Sequence, residues 1–514
     1  MKAPTFLLLA LAPLIGSAQA VVDIDVVDGP VTNILTSGQP LSLSIRVRGA
    51  GRDAGKGLSY EWRDFRGNAV SPGTPLGSGT TEVTAPTAKP GYLGLAFVAD
   101  DPDVRINPST GLRQELGFVF VPSANPPARA AGSPFGIVHP DLDDPNMPTW
   151  VKTLTWNTTS ARYWPDEIAK RRDAGYHELP LVSGNGWAGD DSSNIADAQL
   201  DELSSRFGTY ISADPNVRYW ELGREENLGR RFEQSAYFDN LAAKAAALRR
   251  AAVERGISVK FIYQIGGRSL TDARKFFASD AAEEFDIVAP HPYYWPEFPT
   301  PEKWLARFIG DRRAAMQENG LDMPMWFTEI GAPQNDARLP TMYSGRHPVP
   351  GHRREENAAY LVKTHVIALA SGVEKVFWYN YVDRKPDISD VEEHFGLIDY
   401  WGYPKPAYAA YVTTLRCIGN KRPAARSTAA GLHVYRFSAA GEHCVVLWSH
   451  PDAAATVSFQ SIIEGVPAAK IDSISDTVGA PMTAGDALEI DGYPVFLRMT
   501  SETAAKDSVS DSPD

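Results

Sequence analysis

From residue 21 to about 127 the chain alternates. Leu41, Leu43, Ile45 and Val47 are interleaved with Ser42, Ser44, Arg46 and Arg48, and the same period of two returns at Leu58, Tyr60 and Trp62 and at Leu116, Phe118 and Phe120. Successive side chains of a strand point to opposite faces, so each set forms one buried face. Turn-forming pieces such as Gly49-Ala50-Gly51 and Ser71-Pro72-Gly73 separate the runs. The pattern predicts an N-terminal immunoglobulin-like β-sandwich over residues 21–127, its aromatic residues engaged in core packing.

A stretch rich in Pro, Ala and Gly at 123–133 reads as a linker, and beyond it the period changes. Short apolar runs at 135–138, 151–155, 178–182, 217–222, 259–263, 286–289, 325–328 and 376–379 are separated by amphipathic helical segments. In one of these Tyr237, Leu241, Ala245, Leu248 and Ala252 share a face and Gly256 is placed to end the helix; in another Leu361, His365 and Leu369 are closed by Gly372. Eight strands alternating with helices predict a (β/α)8 TIM barrel over 128–418. No Gly-x-Gly-x-x-Gly opens a helix, which removes the signature of a dinucleotide-binding sheet. Alternation resumes at 432–437, 444–448 and 495–499, predicting a small C-terminal β-sandwich over 419–500, and the polar, acidic residues 501–514 predict a disordered tail.

Composition agrees with such a multidomain α/β chain. Its 514 residues exceed one compact unit, and 43% hydrophobic residues suffice for several cores. A formal charge of −13 argues against nucleic acid as a partner, because phosphate binding needs a basic face. Residues 1–20 carry Lys2, an apolar run from Phe6 to Ile15 and then Ala18-Gln19-Ala20, the pattern of a cleaved signal peptide. Ten apolar residues are too few to span a bilayer, so the expectation is a secreted or periplasmic protein with no membrane span after cleavage. In an oxidising compartment the two cysteines, Cys417 and Cys444, are expected to form a disulfide, and no metal-binding spacing involves them.

The chemistry collects where the barrel strands end. Function in such a barrel sits at the C-terminal mouth, which would receive His139, Trp156, Asn185, Trp187, Glu225, Asn227, His291, Tyr293, Glu329 and Trp378. Polar groups interleaved with flat aromatics suit a carbohydrate cleft. Glu225 and Glu329 each follow a short apolar run, and a carboxylate in that setting is costly unless paired or used. Glycosidic hydrolysis needs two carboxyl groups, one to protonate the leaving oxygen and one to attack or to activate water. The residues alone leave the stereochemistry open.

Trp220-Glu221-Leu222-Gly223-Arg224-Glu225-Glu226-Asn227 resembles the Trp-Glu-x-x-Asn-Glu-Pro-Asn motif of clan A glycoside hydrolases, especially family 39 and its neighbours. Trp326-x-Thr-Glu-x-Gly at 326–331 is similar to that clan's nucleophile strand, His291-Pro292-Tyr293 to its sixth-strand motif, and Phe395-Gly396-Leu397 with the run 402–408 to the segment entering the last barrel helix. The resemblance spans roughly 134–415 and implies a retaining double displacement on a polysaccharide or oligosaccharide, with Glu225 as general acid/base and Glu329 as nucleophile. It further implies that His291 and Tyr293 position the nucleophile, that Trp378 floors the −1 subsite, and that no metal or organic cofactor takes part.

One position departs from the pattern: the Asn before the acid/base is Arg224, and the Pro after it is Glu226. A guanidinium cannot replace a short neutral amide, and its charge would lower the Glu225 carboxyl. Either Glu221, Arg224 and Glu226 form an ion-paired brace, the preferred reading, or Arg224 reaches a substituted or anionic sugar. The departure also keeps a different class in play, a non-catalytic carbohydrate-binding protein on a decayed glycosidase barrel.

Overall fold

The computed structural model describes residues 20–501, leaving out 31, 50–56, 78, 101–103, 109–114, 123–131, 140–143, 147, 149, 154–164, 183–190, 295–296, 335–340, 344–346, 350–351, 386–390, 430, 451–453, 459–468, 484 and 486. Most of the expected signal segment and linker, the tail beyond residue 501, and Trp156, Asn185 and Trp187 lie outside the described residues. The chain divides into two compact units, one made of residues 1–31, 40–87 and 94–116 and the other of 32–39, 88–93 and 117–514.

In the first unit a four-stranded sheet orders Gly79–Thr84, Ser42–Gly49, Ala20–Asp28 and Val104–Pro108. Leu43, Ile45 and Val47 are buried in it, as their alternation requires. Leu58–Arg63 pairs antiparallel with residues 94–99, placing Trp62, 1% exposed, and Leu95 in the same interior.

The second unit contains the barrel. Its strands are β1 (Phe135–Val138), β2 (Trp150–Thr153), β3 (His177–Val182), β4 (Tyr219–Leu222), β5 (Lys260–Gly266), β6 (Ile287–His291), β7 (Trp326–Ile330) and β8 (Lys375–Trp378). The helices are α1 (Pro165–Asp173), α2 (Asp197–Ala213), α3 (Tyr237–Val253), α4 (Leu270–Phe277), α5 (Leu305–Glu318), α6 (Arg354–Ala370) and α7 (Pro406–Ile418). All strands are parallel, in the order β6-β5-β4-β3-β2-β1-β8-β7, and a bridge from Val288 to Met325 closes β6 onto β7. This is a (β/α)8 barrel.

The barrel floor is aromatic. Trp150, Tyr219, Trp326 and Phe377 pack against one another inside it, with Trp150 and Trp326 centroids 5.4 Å apart. Phe377 fits only because β1 carries a glycine opposite: a Cβ on Gly136 would meet its ring at 2.3 Å. These rings fill the lower layers, so the polar groups that follow them on the same strands are lifted toward the mouth.

After α7 a five-stranded antiparallel sheet orders Arg422–Ala429, Leu432–Ala439, Glu442–Ser449, Val495–Ser501 and Ala469–Ser475. A two-stranded sheet of Ala455–Ser458 and Ala487–Ile490 covers it, and Val445, Leu447 and Leu497 of one layer share a core with Val457, Leu488 and Ile490 of the other. Cys417 of α7 and Cys444 of this sheet are joined by a disulfide, their Cα atoms 5.9 Å apart. Among the described residues, no helix is long and apolar enough to cross a membrane.

Candidate active site

Strand β4 ends at Leu222, and the chain turns through Gly223, whose N–H donates to the Val182 carbonyl at 3.0 Å. Arg224 follows, exposed, and then Glu225 in the left-handed region with φ 43°. That conformation is costly for a side-chain-bearing residue and persists only where its surroundings hold it. Gln264 of β5 provides the hold: its Nε2 donates to the Gly223 carbonyl at 2.8 Å and its Oε1 accepts from the Glu225 N–H at 3.2 Å. Asn227 adds a second clasp, pairing through both amide atoms with the Gly266 backbone at 2.9 Å. Gly266 has to be small, because a Cβ there would lie 2.8 Å from the Cβ of Glu225.

Glu329 approaches from β7. Thr328 and Glu329 both face the interior, which regular alternation forbids. The strand resolves this with a register shift against β8 between Phe327 and Ile330, a bulge that turns Glu329 inward beside Thr328. Gly331 then passes under β8, where a Cβ would meet the Tyr379 carbonyl oxygen at 2.1 Å.

Beneath the two carboxylates lies a buried ionic network. Lys152 of β2 is completely buried, with Nζ 2.5 Å from Glu221 Oε2 and 2.9 Å from Glu329 Oε1. His291 Nδ1 lies 2.8 Å from Glu225 Oε1 and its Nε2 2.8 Å from Thr328 Oγ1, whose hydroxyl donates to Glu221 Oε1. Tyr293 donates to Glu329 Oε2 at 3.4 Å.

Each charge has a physical cause. Burial opposes ionisation of Glu221, but Lys152 and His291 outweigh it and hold the carboxyl at about 2. Burial would neutralise Lys152, yet the two carboxylates raise its pKa. Burial likewise disfavours charge on His291, while the charge on Glu329 and the bonds to Glu221 and Glu225 overcome it and the repulsion of Lys152, raising the imidazole to about 9. Burial pushes the Glu225 carboxyl up, and His291, then Lys152 and Arg224, pull it below its ordinary value. His139, past the end of β1 with φ 54°, is held neutral at about 4 by burial and by Arg384 and Lys152. Its Nε2 is buried without a hydrogen-bond partner among the described residues.

The structure therefore gathers Glu225, Glu329, His291, Tyr293 and His139 at the barrel mouth, with Arg224 at its rim. It differs from expectation in three respects. His291 bonds to Glu225, its Nδ1 3.9 Å from Glu329 Oε2, and Lys152 joins Tyr293 beside Glu329. The expected brace around Arg224 gives way to other pairings: Glu221 is held by Lys152, and Glu226 by Arg231 at 3.2 Å and by the Tyr237 hydroxyl at 2.6 Å. Trp378 does not face the cleft. It is fully buried on the outer side of β8, stacked on His365 of α6 at 6.1 Å. Because alternation points Phe377 and the next-but-one residue inward, the aromatic that meets the site is Tyr379, edge-on to Tyr293 at 6.2 Å and bonded by Arg384.

Lys152, Gln264 and Tyr379 were not among the residues singled out from sequence. A lysine inside the buried run 150–153 is the signal that could have found the first, since a charge there needs a partner. Glu225, His291 and Glu329 also form the one group among the described residues in which three potential metal-ligating atoms converge, within 4.8 Å of one another. Both His291 nitrogens are committed to hydrogen bonds and the Lys152 ammonium already lies 2.9 Å from Glu329, so the donor set is that of an ion-paired proton network and does not fit a resident cation.

No family model matches the chain, and no curated protein matches it. Among solved structures it is similar to a family 39 glycoside hydrolase from the gut symbiont Bacteroides cellulosilyticus WH2, at 15% identity, covering 92% of this chain and 99% of that one with a TM-score of 0.64. A family 30 subfamily 8 xylanase from Clostridium acetobutylicum matches at 13% identity over 74% of this chain and 98% of its own, with a TM-score of 0.45. At these identities the likeness is one of fold.

Proposed function

We propose that the protein is a retaining glycoside hydrolase acting on a polysaccharide or oligosaccharide outside the cytoplasm. The observation that carries this reading is the convergence of Glu225 and Glu329, each with an oxygen inside a group spanning 4.8 Å at the mouth of a (β/α)8 barrel. Carboxyl groups about 5–5.5 Å apart suit direct attack on the anomeric carbon, whereas roughly 6.5–9.5 Å leaves room for an intervening water. One oxygen of each within 4.8 Å of the other fits the closer, retaining arrangement. The residue pattern at 1–20 and the Cys417–Cys444 disulfide support export.

In this reading Glu329 attacks the anomeric carbon while Glu225 protonates the departing oxygen, and Glu225 then takes a proton from the water that releases the sugar. Lys152 Nζ holds one oxygen of Glu329 and the Tyr293 hydroxyl orients the second. His139, neutral and with Nε2 unsatisfied, supplies a hydrogen-bonding group to a sugar hydroxyl, and Tyr379 a flat wall. The fold shared with a family 39 glycoside hydrolase agrees with this chemistry.

The test is reducing-end release from a panel of extracted glycans by wild type and by Glu329→Gln, with the anomer of the first product read by NMR. Wild type is expected to release product with retained configuration and the variant at least 10³-fold less. Identical traces would overturn the enzyme and leave a carbohydrate-binding barrel.

A further inference from the structure

The hydrogen bonds beneath the carboxylates determine where one proton must be. Glu221 is a carboxylate against Lys152 and can only accept, so the Thr328 hydroxyl proton points to Glu221 Oε1. Thr328 Oγ1 then has only acceptor capacity left for His291 Nε2, 2.8 Å away, and Nε2 carries a hydrogen. On the other side of the ring, Nδ1 faces Glu225 Oε1 at 2.8 Å. A bare ring nitrogen against a bare carboxylate oxygen at that distance would be repulsive. One proton must lie between them, written either as imidazolium with carboxylate or as neutral imidazole with carboxylic acid.

We propose that His291 is the proton-holding partner of Glu225, and that the leaving group is protonated by this pair, anchored through Thr328 to Glu221, and not by Glu225 alone. His291 is a positioning residue: it acts on substrate only through Glu225. The proposal deepens the glycosidase reading and rests on it for its kinetic arm alone.

This arrangement answers a difficulty in the site. Lys152, His291 and Arg224 all favour an ionised Glu225, yet an acid catalyst needs a proton. Holding that proton on Nδ1 keeps it one hydrogen bond from Glu225, ready to shift to Oε1 as negative charge develops on the departing oxygen. In the first step the glycosidic C–O bond breaks, a bond forms between the anomeric carbon and Glu329, and the pair's proton leaves with the aglycone. In the second, water bonds to the anomeric carbon, its proton returns to the pair, and Glu329 departs as carboxylate.

The charge balance is steady throughout. Before reaction Glu221 and Glu329 are anionic, Lys152 is cationic and the pair is neutral, a net of one negative charge. In the glycosyl-enzyme Glu329 is an uncharged ester and the pair is anionic, again one negative charge. The buried cluster moves its charge from one carboxylate to the other without changing its total. The charged groups facing His291 are Glu221 at 3.7 Å, Glu225 at 2.8 Å, Glu329 at 3.9 Å and, by field, Lys152. The tyrosine nearest the cluster, Tyr293, is kept protonated by burial and by Glu329.

Two measurements on the full chain test the proposal. The first is NMR titration of 15N-histidine-labelled protein, with His291 assigned by its loss in His291→Asn. Both ring nitrogens are expected to be protonated at pH 7, or Nδ1 to share its proton with Glu225, and Glu225→Gln should lower the titration midpoint by about one pH unit or more. A single Nε2–H tautomer with no response to Glu225→Gln overturns the proposal. The second is the pH dependence of kcat/KM for His291→Asn, and for Thr328→Val should the first variant fold poorly, on a glycan substrate and on 2,4-dinitrophenyl glycosides. Loss of roughly 10²-fold on the poor leaving group, less than about threefold on the activated one, and a basic limb displaced to lower pH support it. Equal losses on both substrates with an unmoved basic limb overturn it. If wild type cleaves no glycoside the functional reading fails, and the titration alone decides the shared proton.

Discussion

Replacing Lys152 by methionine removes one buried charge and keeps most of the side chain's bulk. The consequence is calculable because its two partners stay behind. Glu221 is completely buried, and its carboxyl is held at about 2 against an ordinary value of 4.5. With each pH unit worth about 1.4 kcal/mol, that depression represents on the order of 3 kcal/mol of stability at neutral pH, the range expected when one partner of a buried ion pair is deleted. The sign follows from the direction of the shift. A carboxyl depressed on folding contributes stability that is complete above its unfolded value and is lost as pH falls through the folded one. In Lys152→Met the largest support for a low Glu221 pKa is gone and burial is opposed chiefly by His291, so the residue takes up a proton at mildly acidic pH and the variant recovers there. Thermal unfolding at pH 7.5 and 4.5 should show a deficit of roughly 6–12 °C at the higher pH, at about 2–4 °C per kcal/mol for a domain of this size, narrowing clearly at the lower. A variant as stable as wild type at pH 7.5, or a deficit independent of pH, would refute the account of Lys152 as the counter-ion of this network.

Other consequences are equally open to measurement. Gly331→Ala places a methyl 2.1 Å from the Tyr379 backbone carbonyl and must displace the end of β7 carrying Glu329, so kcat should fall by about 10²-fold or more in steady-state assays while the circular dichroism spectrum is retained. Arg224→Ala should cost roughly tenfold more in kcat/KM on uronate-bearing glycans than on their carboxyl-reduced counterparts, and equal losses would remove the anionic-sugar role. The Cys417–Cys444 bridge closes a separation of 27 residues, so Cys417→Ser with Cys444→Ser should lower stability by about 3 kcal/mol in urea unfolding, with no change in the pH profile of activity.

How far the sequence reaches can be judged strand by strand. The run expected at 135–138 is β1 unchanged, and those expected at 178–182 and 325–328 reappear within one or two residues as His177–Val182 and Trp326–Ile330. The helix drawn through Tyr237, Leu241, Ala245, Leu248 and Ala252 is α3, and Gly256 adopts φ 67° beyond its end. These features are local. Periodicity, chain-terminating glycines and apolar run length are written residue by residue, and a barrel of parallel strands follows from their alternation. The placement of Glu225 and Glu329 at one mouth follows from the same logic, since in such a barrel the strand ends have only one place to meet.

What the tertiary structure alone decided is which side chains share the interior, because that depends on single-residue register and on partners distant in sequence. Trp378 and Tyr379 are adjacent, and only the pleat of β8 sends the first against His365 and the second toward Tyr293. The bulge in β7 lets Thr328 and Glu329 face inward together, which no periodic reading anticipates. Lys152 and Glu221 meet at 2.5 Å across 69 positions of sequence, and Thr328 reaches Glu221 across 107. Sequence named the carboxylates; the ionic network that sets their charge exists only once β2, β4, β6 and β7 are brought side by side.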